Sequence, residues 1–340
     1  MSYKQVLIVG YGSIGKRYGQ HLLNKSDVTV SVVEPALSAQ EHAISLGFIT
    51  YPKLNHEAFQ TKYDYAIVSN WGPDHVHTTN LLIENSIKRI TIEKPFCNNL
   101  LAGKELLANL SKAHVRCNVH FRWPYINLIG TINKLVSTYA LGDVSSINVI
   151  GGAGCLSTGG IHWMDLACRL FKANPSLVSG VHNIDSINPR SDQLGYVDGT
   201  CIYVFSNNKR LSFILDNNSS LSLEAKLFYK YGYISIDANS IIRVFKRDAK
   251  QIEIASRKIT RYGIPDLQQE LMDLRNNNSL DQVIDEMIGD KSNQDIVCTA
   301  DDGFRASNML ILSLESSKIK KQIDFDNFNL TNLNNSWSIS

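Results

Sequence analysis

Gly10-Tyr11-Gly12-Ser13-Ile14-Gly15 is the feature that most narrows what this 340-residue chain can fold into. The apolar run 6–9 leads straight into it, and a helical stretch, 14–24, leaves it. In a strand–turn–helix with this spacing, Gly10 permits the tight turn and Gly12 lets the backbone approach a pyrophosphate. Gly15 lets helix and strand pack closely. The N–H groups and positive dipole end of the helix then hold the phosphates. Glu34 stands nineteen residues past Gly15, at the end of the β-branched run 28–33. An acid that takes ribose hydroxyls is expected about 20 residues on. Gly10, Gly12, Ser13, Ile14, Gly15 and Glu34 are therefore the expected cofactor-binding residues. The Glu34 carboxylate repels a 2′-phosphate, and Pro35-Ala36-Leu37 places no cation beside it. NAD is thus favoured over NADP, for which Lys16 and Arg17 are the remaining argument.

The first 120 residues continue the alternation. Strands are predicted at 65–68, 90–92 and 115–119, and helices at 38–46, 76–85 and 100–110. Strands separated by helices of this length make βαβ units and a doubly wound parallel sheet. After Phe121 the pattern changes. Helices are predicted at 126–139 and 162–171, with a strand at 144–150 between them. Between 177 and 256 come strand-like runs at 200–205, 210–215, 221–228, 232–236 and 241–245. Loops of Asn, Ser, Gly and Asp separate them, as antiparallel meander connections require. Residues 265–275, 281–287 and 301–319 read as helices. The reading is an N-terminal Rossmann domain (1–120), a substrate-binding and oligomerisation α+β domain with a mostly antiparallel open sheet (121–325), and a loose, Asn-rich tail (326–340).

Composition excludes several classes of protein. Hydrophobic residues are 44% and charged residues 19%, enough to bury a core and unlike a disordered chain. The net charge of +2 comes with no basic stripe, so no nucleic-acid partner is expected. No apolar run is long enough for a membrane span. The six scattered cysteines include no C-x-x-C pair and read as buried thiols of a reducing compartment, so a cytoplasmic location is expected.

Three further groups carry chemistry. Thr91-Ile92-Glu93-Lys94-Pro95 ends a strand, and Pro95 holds Lys94 out of the α region. Ligands of open α/β sheets sit outside the carboxyl ends of strands, so Lys94 is expected at the nicotinamide end of the dinucleotide. A glycine-rich stretch, 151–160, leads into His162 and Asp165, which share a helix face three residues apart. Asn70, Pro73, His75 and His77 follow another strand. On a helix the two histidines point apart, and no Cys or carboxylate completes a set, so no metal site is read. Arg122, Trp123, Tyr125, His182, Arg190 and Tyr196 are candidates to line a substrate pocket.

These motifs, in this order, resemble the Gfo/Idh/MocA family, the glucose–fructose oxidoreductase and inositol dehydrogenase-like proteins. The resemblance is carried by Gly10–Gly15, Pro73 with His77, Glu93-Lys94-Pro95 and Gly160-Ile161-His162-Trp163-Met164-Asp165. It extends through Arg122 and Pro124, Leu141-Gly142-Asp143-Val144, and the helix at 301–319. It implies hydride transfer between a nicotinamide cofactor and a hydroxyl or carbonyl of a sugar, polyol or sugar derivative, with surface-polysaccharide precursors among the candidates. It also implies pairing of the second-domain sheets into homodimers or homotetramers. By motif, Lys94 and His162 are the catalytic pair. Asn70, Pro73, His77 and Glu93 fall in the cofactor-flanking stretches. The family places an Asp four residues before the histidine; here that position is Thr158, which contributes no charge. Either Asp165 then orients His162, or the proton relay is weakened. The departure keeps two other classes open: a redox-inactive NAD-binding regulator, and an enzyme that uses tightly held NAD within an internal cycle.

Overall fold

The computed structural model describes residues 3–152, 154–184, 194–248, 250, 252–253, 265–273, 278–289, 295–329 and 336–339. The chain forms two compact units. The first comprises Met1–Tyr125, Asn278–Ile311 and Asn329–Ser340, and the second Ile126–Asn277 and Leu312–Phe328.

In the first unit a six-stranded sheet runs in the order β3-β2-β1-β4-β5-β6. Its strands are β1 (Lys4–Val9), β2 (Val28–Val33), β3 (Ile49–Tyr51), β4 (Tyr65–Val68), β5 (Arg89–Ile92) and β6 (Arg116–Val119). Every pairing is parallel. A parallel sheet is covered on both faces, so its strands are apolar throughout rather than alternating. Val6, Leu7, Ile8, Ala66, Ile67, Val68, Ile90 and Ile92 are accordingly buried. The predicted strands and helices of this unit are present. The addition is β3, whose three residues are exposed or half-exposed and carry no apolar run to betray them.

The segment 278–311 returns to this unit and completes it. Helix Ser279–Ile288 is capped by Asn278, whose side chain accepts from the Leu280 N–H. Its last carbonyls receive cations: Arg89 donates to Met287 O at 2.9 Å, and Lys4 donates to Ile288 O. Positive charge at a helix C-terminus is favoured by the dipole. A buried polar chain links the helix to the sheet. Tyr65 meets Thr91, Thr91 meets Asn118, and Asn118 and Tyr125 both donate to Glu286. The described end of the tail also belongs here, with Ile339 fully buried.

The second unit is built on a nine-stranded sheet, ordered β14-β13-β12-β11-β7-β10-β9-β8-β15. Its strands are β7 (Val144–Gly152), β8 (Pro175–Asn183), β9 (Asp198–Phe205), β10 (Arg210–Asp216), β11 (Glu224–Tyr229), β12 (Gly232–Ile236), β13 (Ile241–Lys246), β14 (Asp266–Asp273) and β15 (Ile323–Asp324). The sheet is largely antiparallel, but β7 and β10 pair in parallel.

Two expectations are corrected here. Residues 265–275 read as a helix, yet Asp266–Asp273 is the strand β14, paired antiparallel with β13. Leu, Gln, Glu and Met are good helix formers, but propensity is worth only about 0.2 kcal/mol per residue, and backbone pairing along a sheet edge overrides it. The meander is also interrupted, because β7 inserts between β10 and β11. The connection after β10 crosses the end of β7, where Gly152 N–H donates to Leu221 O at 2.7 Å. A Cβ on Gly151 would lie 2.8 Å from Leu223 Cα, and one on Gly152 would overlap the Ser219 backbone. Part of the glycine-rich stretch thus exists to let a strand connection pass.

Candidate functional site

Each fingerprint glycine has its own steric reason. Gly10 has a positive φ of 90°, and a Cβ there would overlap the Asn70 backbone. A Cβ on Gly15 would overlap the carbonyl oxygen of Gly10. Gly12 is exposed and has open space where a Cβ would stand, so the backbone is bare on that side. Helix Ser13–Leu23 starts there with no side-chain cap and no acid in its first turn. Its leading N–H groups are those an anion takes.

Glu34 ends β2 beside this turn. Its carboxylate accepts from the Tyr11 N–H at 2.7 Å and the Ala36 N–H at 3.0 Å, which fixes its orientation. Tyr11 itself is buried against Phe48 and His42. Asn70 sits across from Gly10; its Nδ2 donates to Thr78 Oγ1 at 2.8 Å, while its Oδ1 is buried with no partner. A bare glycine turn, an uncapped helix start and an orphaned buried acceptor together fit a dinucleotide laid across the carboxyl edge of the sheet.

Lys94 follows β5 at that same edge, half-buried, and its peptide bond to Pro95 is cis. Glu93, expected to flank the cofactor, is buried instead in a polar cluster. Its Oε1 accepts from Tyr18 Oη at 2.8 Å and lies 2.8 Å from His120 Nδ1; His120 Nε2 meets Ser279 Oγ at 3.0 Å. Burial pushes the Glu93 carboxyl up, but His120, Lys94 and the Tyr18 hydrogen bond outweigh it and hold it down at about 2. The carboxylate is therefore ionised, with a negative charge close to Lys94.

The structure separates the two histidines that follow β4. His77 is exposed on helix His75–Glu84, and Pro73 is half-buried in the turn before it. His75 is buried, with Nδ1 2.8 Å from Pro95 O and Nε2 3.0 Å from Asn70 O. Burial lowers its pKa, and the hydrogen bonds to the Pro95 and Asn70 carbonyls work against that. His75 thus joins the segments of Asn70 and Lys94, a role the sequence reading did not assign. The signal available was only its place among chemistry-bearing residues just past a strand. Among the described residues, no group of His, Cys, Asp and Glu is placed to hold a metal ion.

The remaining motif lies in the second unit. Residues Leu156–Gly160 form a π-helical turn leading into helix Ile161–Phe171. Such turns often occur at functional sites. Thr158 and His162 are half-buried on this segment. Asp165 is buried, and both its oxygens accept from Arg169 Nε, at 3.0 and 2.8 Å.

The pocket candidates divide between the units. Tyr125 Oη is spent on Glu286, and the Arg122 guanidinium lies 5.0 Å over the Trp123 ring. Burial, then Arg17, pushes the Arg122 pKa down. His182 packs between Asp198 O and Ser313 Oγ, where burial drops it to about 4. Tyr196 is half-buried, and Arg190 lies outside the described residues. All six cysteines are buried and none forms a disulfide, and burial raises the Cys97 thiol to about 12.

Among curated proteins, no sequence matches the chain. Solved structures match nearly its whole length. An oxidoreductase from Agrobacterium radiobacter, in complex with NAD+, L-tartaric acid and magnesium, has a TM-score of 0.74 at 12% identity, over 96% of this chain and 99% of that one. GenD2 from gentamicin A biosynthesis, in complex with NAD, has 0.73 at 15%, over 95% and 97%. The UDP-N-acetylglucosamine 3-dehydrogenase GnnA from Acidithiobacillus ferrooxidans has 0.69 at 14%, over 94% and 99%. At such identities the likeness is one of fold. Residues 4–121 match the model of the Gfo/Idh/MocA oxidoreductase family, its NAD-binding Rossmann fold.

Proposed function

We propose that the protein is an NAD-dependent dehydrogenase or reductase acting on a hydroxyl or carbonyl of a sugar, polyol or sugar derivative. The observation that carries this is the convergence of the bare glycine turn, Glu34 and Lys94 on the carboxyl edge of one parallel sheet. Gly10, Gly12, Ser13, Ile14 and Gly15 hold the pyrophosphate, and Glu34 takes the adenosine ribose hydroxyls. Asn70, Pro73 and His77 flank the nicotinamide ribose. Glu93 supports from beneath, through Tyr18 and His120. Glu34 selects NAD over NADP by charge. NAD, when bound, supplies the hydride acceptor. The sugar-nucleotide dehydrogenase among the structural relatives supports the substrate class.

Lys94 and His162 divide the work at the substrate oxygen. A lysine starts near pKa 10.4, and acting as a base at pH 7 demands a drop of about three units, roughly 4 kcal/mol. The ionised Glu93 beside it works against that drop. Lys94 polarises the oxygen, while His162, an imidazole that needs little tuning near neutral pH, takes the proton. Thr158 adds one hydrogen-bonding group and no charge, and Asp165 is already engaged by Arg169. Lys94→Ala and His162→Ala are each expected to lower turnover by a factor of a hundred or more; if both kept full turnover of the true substrate, this assignment would fall.

Thr158 favours a second reading, an NAD-binding regulator without redox turnover. Absorbance in the NADH band after NAD is added with a sugar panel separates the two, since only an oxidoreductase produces NADH. We also infer a homodimer or homotetramer through the second sheet, whose open face carries the exposed Ile150, Ile202 and Ile214. Six buried thiols outside any disulfide fit a reducing compartment such as the cytoplasm.

A further inference from the structure

The ladder between β4 and β5 ends at the pair Val68↔Ile92, with one more bond from Glu93 N–H to Val68 O. Beyond it both chains leave the sheet, one toward Asn70 and Pro73, the other toward Lys94. Nothing in the sheet fixes these two loops against each other, although a dinucleotide site of this kind needs them in register. Two fasteners do so. His75 joins them from inside, through Asn70 O and Pro95 O.

The second fastener comes from residues 337–339. Trp337 N–H donates to Asn98 O at 3.0 Å, and Asn98 Nδ2 donates back to Trp337 O at 3.2 Å, so the backbone is pinned in both directions. Ile339 N–H then donates to Trp337 O, and the Ile339 side chain is completely buried. Its carbonyl packs on the turn after β4. A Cβ on Gly72 would stand 2.5 Å from Ile339 O and 3.2 Å from Pro95 Cγ. Three segments far apart in sequence meet at that glycine: the turn before Pro73, the loop carrying Lys94 and Pro95, and the C-terminal strap.

Resting on the reading of the first unit as a nicotinamide dinucleotide site, we propose that residues 337–339 are a working part of that site. They strap the turn after β4 to the loop after β5, and NAD affinity depends on them although they lie outside every motif. The burial of Ile339 supplies the holding energy, and the two-way pairing with Asn98 supplies the register.

The test uses the full-length protein, Ile339→Asp, Ile339→Ala and a chain ending at Asn335. NAD affinity is measured by titration and amide hydrogen exchange by mass spectrometry. The expected result is at least tenfold weaker NAD binding in Ile339→Asp and the shortened chain, and a smaller loss in Ile339→Ala. Faster exchange is expected at 72–75 and 96–98, with β1–β2 unchanged. A full-length protein that binds no NAD sinks the cofactor reading itself. A full-length protein that binds NAD, with folded variants binding it within twofold as tightly, overturns the strap alone. Should Ile339→Asp not fold, Ile339→Ala and the shortened chain decide by the same measurements.

Discussion

At the scale of single residues, the site is a set of charges held by buried partners. Glu93 is the clearest case, since its carboxyl is brought from an ordinary value near 4.5 down to about 2 in the fold. A depressed acid contributes stability that is present above its unfolded pKa and lost as pH falls through the folded one. Stability against urea is therefore expected to fall steeply from about pH 4.5 toward about 2. Glu93→Gln flattens that limb and costs about 3 kcal/mol at pH 7, because the buried cluster around His120 loses its carboxylate. Thr158 offers the converse experiment. A carboxylate introduced by Thr158→Asp favours charged His162, so the rise of turnover with pH is expected to move about one unit higher. An unchanged pH–rate profile would uncouple the position from the proton transfer. The steric roles of Gly10 and Gly15 were legible in the sequence because spacing alone sets them. His75 was not, because the two carbonyls it joins come from segments twenty-five residues apart, Asn70 and Pro95.

At the scale of elements, local chemistry predicts the first unit well. Helix Leu100–Lys112 opens on Asn99, whose Oδ1 accepts from the Ala102 N–H at 3.0 Å. Asn99→Ala is expected to lower stability by about 1 kcal/mol, read from denaturant midpoints, with NAD affinity unchanged. The strand β14 shows where local reading fails. Its residues suit a helix slightly better than a strand, and only the exposed backbone of β13 makes the strand the better choice. The same holds for Gly151 and Gly152, which read as part of a site and prove to clear the path of the β10–β11 connection.

At the scale of the molecule, the chain does not divide at one point. Residues 278–311 and 329–340 cluster with the cofactor-binding unit, and the boundary near 311 falls inside helix Ala300–Ile319. The second unit's sheet leaves Ile202 and Ile214 exposed on one face, and the proposed oligomer would bury them there. Ile214→Asp is expected to reduce the oligomer to a smaller species by light scattering; an unchanged mass would place the interface elsewhere.

The order of residues alone specified the parallel α/β architecture and the glycine turn with its acid, and its motif resemblance supplied the candidate pair Lys94 and His162. Those features depend on hydrophobic period and short spacings, which act between near neighbours. Tertiary structure alone decided that Glu93 is buried with Tyr18 and His120, that β7 splits the meander, and that residues 337–339 close on Gly72 and Asn98. Each of these depends on contacts between residues distant in the chain, and such contacts leave no periodic trace in the order of residues.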